Sequence, residues 1–297
     1  CFSSGRSAPR PFLHASADPA LIAPGRRLLD YLYSLPAKSS AKVLSGQYHI
    51  NDSNTVFSET GYRPAISGEH VINGESSSFA AVGKSLITSC ISWWNSGGVV
   101  LDGCKIHNLI TRGLMTSGTC SDAQMAQIMT EGHPYNTNFK EWFDAYAGAM
   151  KQFEAAGVPV IIRPLHECNN GAFWYRYPSA SVLKTFFQYI YNYLVNVKGC
   201  HNLLFCYAPS AYRKNATTYY PGGAYVDIVG VDSYPDLRTA AMHASYFTDY
   251  APLVATGKPF ALTEFGPKPG SGSASDTSDG RYDRAIAGIK SILPNTV

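Results

Sequence analysis

Two glutamates in this chain stand at the ends of short apolar runs. The run Pro159-Val-Ile-Ile-Arg-Pro-Leu-His-Glu carries Arg163 and delivers His166 and Glu167, and Cys168-Asn-Asn-Gly-Ala-Phe-Trp-Tyr follows it. The run Pro259-Phe-Ala-Leu-Thr-Glu-Phe-Gly delivers Glu264, with Gly266 placed for a tight turn. If both runs are strands opening on one mouth, two carboxyls meet there, and such a pair suits cleavage of a glycosidic bond. The leaving oxygen needs a proton while positive charge grows at the anomeric carbon. One carboxyl must therefore hold a proton at a pH where the other is ionised. Neighbouring charge and unequal surroundings separate the two pKa values. A carboxyl spacing of about 5–5.5 Å would give retention of configuration, and about 6.5–9.5 Å inversion.

The elements that must position these residues follow one rhythm of short apolar strand, polar loop and amphipathic helix. Strands are expected at 41–47, 63–67, 98–102, 159–164, 202–208, 226–231 and 259–263, most of them near-continuous apolar runs such as parallel strands buried on both faces show. Helices are expected at 77–94, 138–156, 180–197, 240–255 and 281–292, the second with Asn138 and Glu141 as a capping pair and Gly157 as its stop. Before them, Leu28, Leu29, Leu32 and Leu35 recur at helical spacing after Pro24, and Pro36 ends that run. Alternation of this kind means βαβ crossovers and a parallel sheet. No glycine-rich phosphate loop follows any strand, and acidic and aromatic residues gather after several different strands. That distribution favours a closed (β/α)8 TIM barrel, whose mouth collects the C-terminal strand ends, over an open doubly wound sheet. Seven strands are counted, and an eighth would have to begin at 294–297, so the barrel either lacks its last strand here or holds one the pattern does not reveal. The expected organisation is an extended Ser-, Ala- and Pro-rich arm over 1–20 and a single barrel domain over 21–297.

Composition sets outer bounds. With 45% hydrophobic and 15% charged residues the chain is an ordinary globular one, and a formal net charge of +3 is too small to call for a nucleic-acid partner. No apolar run approaches the roughly 18 residues that a membrane-spanning helix needs. The 20 tyrosines could be core or sugar platforms, which composition does not decide. Seven cysteines without C-x-x-C spacing give no structural zinc pattern; their number fits a secreted protein with some disulfides, and Cys200 and Cys206 are close enough in sequence to be a bridge. Asn51-Asp-Ser and Asn215-Ala-Thr are glycosylation sequons. The chain begins at Cys1 without a leader pattern, which fits a mature extracellular or lumenal form.

Taken together, the motifs resemble glycoside hydrolase family 26, whose best-known members are β-mannanases of a retaining (β/α)8 clan. Arg163, Pro164, His166, Glu167, Asn169, Phe173 and Trp174 match its acid/base stretch, and Thr263, Glu264, Phe265 and Gly266 match its nucleophile stretch. Tyr219-Tyr-Pro-Gly, the run from Val226 to Tyr234, Trp94-Asn-Ser-Gly-Gly and His107-Asn are similar to further family motifs in the same order. The resemblance implies retention, with Glu167 as acid/base and Glu264 as nucleophile. It also implies that His107 and His166 bind the sugar or orient the carboxylates, that Trp174 stacks on a pyranose face with Phe173 and Asn169 nearby, and that Tyr234 holds Glu264. Arg163 is expected to brace the interior near Glu264, while Asp227 and Asp232 are unranked supporting partners. The chain departs from the pattern at Asn170, where a glycine is usual, and lacks tryptophans before His107 and near the last strand. The implied reaction is hydrolysis of β-1,4-mannan or glucomannan by a monomer with no metal or organic cofactor. Mixed-linkage glucan or β-1,3-xylan as substrate, and a non-catalytic carbohydrate-binding barrel, are the alternatives. A metal-dependent hydrolase would need convergent His and Asp ligands, some of which His49, His107 and His166 could supply.

Overall fold

A computed structural model of the chain describes residues 12–36, 43–237, 240–266 and 282–297. Seven parallel strands form one sheet in sequential order: β1 (Gly46–Tyr48), β2 (Ile66–Glu69), β3 (Val99–Asp102), β4 (Val160–Ile162), β5 (Leu203–Tyr207), β6 (Ile228–Ser233) and β7 (Phe260–Phe265). Sequential parallel order requires a crossover after every strand, and helices supply them on the convex side. Among the described residues the sheet curls into most of a (β/α)8 barrel, with one strand fewer. All seven expected strands are present. The first begins later than expected, and its residues 41 and 42 lie outside the described residues, as do residues 1–11 of the expected arm and Cys1.

Alternation along the strands sorts the core into two. Val99, Leu101, Ile161, Leu204, Cys206 and Ile228 point inward and pack with Leu28, Leu29 and Leu32 of helix α1 (Ala23–Ser34), which closes the N-terminal end of the barrel. The intervening residues, among them Val100, Val160, Ile162, Phe205 and Val229, face the surrounding helices. The described part of the arm is tied to the same N-terminal end. Ala17 donates to Asp227 at 2.7 Å, and Asp18 pairs with His201 at 2.9 Å. Asp227 therefore lies at the end of β6 remote from the mouth.

Several helix expectations need correction. Helix α5 (Pro134–Ala155) starts at Pro134, with the His133 side chain accepting from the Tyr135 N–H; Asn138 and Glu141 instead hold Arg112, which donates to Glu141 at 2.6 Å. The reciprocal capping box belongs to Ser121 and Gln124, at the start of α4 (Asp122–Ile128). Helices α2 (Ile50–Thr60) and α4 were not expected, because neither has a clear apolar stripe. Between them lies α3 (Lys84–Asn95), shorter than the expected 77–94. The expected 180–197 helix is α6 (Ala180–Asn192) followed by a π-helical turn, and 240–255 holds a single 3-10 turn and α8 (Tyr250–Val254), after α7 (Ala216–Tyr219). The last helix, α9 (Tyr282–Ile292), is as expected from residue 282 onward. Cys200 and Cys206 are not bridged. Cys206 faces the inner core and Cys200 the helix layer, and all six described cysteines are free and buried.

Where the ring would close, β7 and β1 do not pair with each other among the described residues. Val297 donates to the Phe260 carbonyl at 2.9 Å beside the start of β7, a first contact of eighth-strand type. Above it, a cavity of about 550 Å³ lies between Gly46 and Tyr48 on one side and residues 261–265 on the other.

Candidate active site

The two glutamates do reach one mouth, by different backbone devices. After β4 the chain turns sharply, and both Leu165 (φ 55°) and Glu167 (φ 51°) adopt left-handed conformations that side-chain-bearing residues rarely take. The turn is held because the Glu167 N–H donates to the Ala208 carbonyl at 2.8 Å, hooking this loop onto the end of β5. At β7 the device is a bulge. Val231 pairs with Leu262 but Asp232 pairs with Glu264, so Thr263 is an extra residue and the inward-outward parity of β7 changes there. Without it, Thr263 and Glu264 would face opposite sides of the sheet. Gly230 permits the close approach of β6 and β7 at this point, since a Cβ there would lie 2.6 Å from the Ala261 carbonyl oxygen.

Arg163, fully buried, stands under Glu264. Its guanidinium donates to Asp232 at 2.6 Å, to Glu264 at 2.9 Å, to the Tyr48 hydroxyl at 2.6 Å and to the Thr263 carbonyl at 3.1 Å. Tyr234 donates to the second oxygen of Glu264 at 2.5 Å, and Tyr48 to the first at 3.2 Å. Burial works to raise the Glu264 pKa, but Arg163 and these donors outweigh it and bring the group down to about 2. Glu167 goes the other way. Burial raises it, the Asn170 amide donating at 3.0 Å partly opposes this, and the charge of Glu264 raises it further. The mouth thus holds one carboxylate that stays ionised and one carboxyl that keeps its proton to higher pH. His166 is buried and its pKa falls to about 3, through burial and the nearby Arg163, so it is neutral. Its Nδ1 has no hydrogen-bond partner among the described residues, and its ring packs against Phe173 at 4.7 Å.

Three expected site residues are placed elsewhere. Trp174 is fully buried and donates to the Ile106 carbonyl at 3.1 Å, so neither face is open to a sugar. His107 is also fully buried. Its Nδ1 accepts from Trp142 and its Nε2 donates to the Ser76 carbonyl, which leaves no nitrogen for a sugar or a carboxylate. Asn169 is a clamp: it accepts from the Ser210 N–H at 2.8 Å and donates to the Ser210 carbonyl and to Asn215, both at 3.0 Å. Its neighbour Asn170, the departure from the family pattern, is the residue that touches Glu167.

Tyr48 was missed. A lone tyrosine ending a three-residue strand carries no sequence signal. Asp232 was named but could not be ranked against Asp227; strand position settles it, Asp232 lying at the mouth end of β6 and Asp227 at the other. Among the described residues, no group of three or more His, Cys, Asp and Glu side chains is arranged to hold a metal ion.

Known proteins are similar to this chain over most of its length. A mannan endo-1,4-beta-mannosidase of Bacillus subtilis (strain 168) is 29% identical over 292 residues, which covers 92% of this chain and 77% of that protein. The mannan endo-1,4-beta-mannosidase A and B of Caldalkalibacillus mannanilyticus is 28% identical over 92% of this chain and 55% of its own length. Among solved structures, Bacillus subtilis mannanase man26 superimposes with a TM-score of 0.84 at 26% identity, covering 96% of this chain and 86% of that one. The family model of glycosyl hydrolase family 26 matches residues 18–281, nearly the whole of the sheet and its helices, and the chain belongs to that family.

Proposed function

We propose that this chain hydrolyses β-1,4-mannosidic bonds of mannan and glucomannan by double displacement. The observation that carries the proposal is the division between Glu264, kept ionised by Arg163, and Glu167, whose pKa is raised by burial and by the charge of Glu264. An oxygen of Glu264 attacks the anomeric carbon, the bond to the leaving oxygen breaks, and the Glu167 proton passes to that oxygen. Water then attacks the glycosyl ester, Glu167 takes its proton, and Glu264 is released as a carboxylate. His166, neutral and with Nδ1 unpartnered, hydrogen-bonds a sugar hydroxyl; Phe173 fixes its ring; Tyr234 and Arg163 keep Glu264 aimed. The linkage is supported by the relatives named as mannan endo-1,4-beta-mannosidases. A polymer of this kind is met outside the cell or in a lumen, where we place the protein, working as a monomer.

The test is Glu264→Ala and Glu167→Ala on β-mannan, each expected to lose about 10⁴-fold or more in kcat. With an activated substrate, azide should restore turnover to both variants, giving the α-glycosyl azide from the first and the β-glycosyl azide from the second. Near-normal turnover of mannan by either variant would refute the roles.

A further inference from the structure

The expected sugar platform, Trp174, is buried, yet a cleft that cleaves polysaccharide needs an apolar surface against which the ring on the leaving side can lie. An exposed aromatic side chain at the mouth meets that need. Tyr212 lies in a single 3-10 turn (Ala211–Arg213) on the loop after β5, and it is 49% exposed despite its size. None of the ring contacts among the described residues involves it. Its hydroxyl donates to the Tyr234 carbonyl at 2.5 Å, and the hydroxyl of Tyr234 holds Glu264, so the ring is moored directly beside the nucleophile's support.

The loop that carries it is equally fixed on the Glu167 side. Asn169 clamps Ser210, two residues before Tyr212, and Arg213 donates to the Asn170 carbonyl at 3.0 Å while the Asn170 amide holds Glu167. A ring pinned through its hydroxyl, on a loop bolted to the Glu167 turn, loses little conformational freedom when a sugar lies on it. An amphipathic aromatic of this kind, wet at one end and apolar over its face, matches the C–H face of a pyranose.

We propose that Tyr212 is the stacking platform for the sugar on the leaving-group side of the scissile bond, a β-1,4-linked pyranose of the substrate chain. The side follows from the chemistry proposed above, on which this inference rests. Glu167 protonates the oxygen that leaves with the departing ring, and Tyr212 belongs to the loop locked to Glu167. A platform on that side acts only when the departing group is a sugar.

The experiment compares mannopentaose, whose leaving group is a sugar, with β-mannobiosyl fluoride, whose leaving group is too small to use the platform. In Tyr212→Ala the ratio of kcat/KM for the pentaose to that for the fluoride should fall by about tenfold or more, the scale at which loss of a buried aromatic anchor is felt. Tyr212→Phe, which keeps the ring, should hold the ratio within about threefold of wild type. Tyr62→Ala, at an exposed tyrosine on the approach to β2 and so at the opposite end of the sheet, should leave it unchanged. An unchanged ratio in Tyr212→Ala would overturn the proposal, whether both rates stand or both fall together. So would a Tyr212→Phe variant as impaired as Tyr212→Ala, since the hydroxyl mooring rather than the ring would then matter. Wild-type protein that cleaves neither substrate would overturn the mannosidase reading itself, a result distinct from either of these.

Discussion

A buried carboxyl next to a second one gains a proton unless a cation stands closer to it than its neighbour does. At Glu264 that cation is Arg163, 2.9 Å away and shut off from solvent, with the Tyr234 hydroxyl on the other oxygen. Among the described residues Glu167 has no such cation in direct contact and has one amide instead. The pH dependence of kcat/KM should follow from this. Glu264 must be ionised, so activity is lost on the acid side as pH falls through its lowered pKa. Glu167 must be protonated, so activity is lost on the alkaline side as pH rises through its raised pKa. Tyr234→Phe removes a donor that lowers the Glu264 pKa, so the acid limb should move to higher pH. The loss of a hydrogen bond to a charged group should also cost about 10- to 100-fold in kcat/KM. Asn170→Ala removes the donor that lowers the Glu167 pKa, and the alkaline limb should move up while the acid limb stays. Movement of the wrong limb in either variant would show that the two roles are exchanged.

At the scale of elements, the burden falls on the ends of β4, β6 and β7. Asp232 and Arg163 are both fully buried and 2.6 Å apart. Replacing Asp232 with alanine leaves the guanidinium in the barrel with Glu264 as its one remaining carboxylate partner. The expected cost is about 3–5 kcal/mol of stability, read as a lower midpoint in urea unfolding. A change under about 1 kcal/mol would mean that water reaches the pair. These same ends show what the sequence discloses and what it does not. The strands were legible because runs such as Val160-Ile-Ile and Leu203-Leu-Phe are apolar on both faces, and the glutamates because each follows such a run. The β7 bulge was not legible: residues 259–266 read as an apolar run ending in a glutamate, and nothing in them marks Thr263 as the extra residue. Burial was hidden as well. Trp174 and Tyr212 are both aromatic residues near polar loops, and only packing makes the first a core residue and the second an open one. His107 looked chemical by type, but its two nitrogens serve Trp142 and Ser76.

At the scale of the whole molecule the sheet is tied unevenly. β4 and β5 have strands on both sides and helices behind, whereas β1, among the described residues, pairs with β2 alone. Across the cavity, β1 reaches β7 through Tyr48, whose hydroxyl stands between Arg163 and Glu264. Local opening should therefore begin at β1. Amide hydrogen exchange at residues 46–48 is expected to be about tenfold or more faster than in β4 and β5, and Tyr48→Phe should accelerate it further while leaving β4 and β5 unchanged. Uniform protection across all seven strands would contradict this picture of a barrel with one weakly joined seam. The seam bears on function because it passes directly beneath the Glu264 carboxylate.

The roles of Glu167 and Glu264 are separated by which carboxylate bonds to the sugar. Incubation with 2-deoxy-2-fluoro-β-mannosyl fluoride, which forms the glycosyl ester quickly and releases it slowly, followed by peptide mass spectrometry, answers that directly. A single fluoromannosyl group is expected on the peptide spanning 259–266, carried by Glu264. A label on Glu167 or any other side chain, or turnover of mannan to products of inverted configuration with no labelled protein, would contradict it.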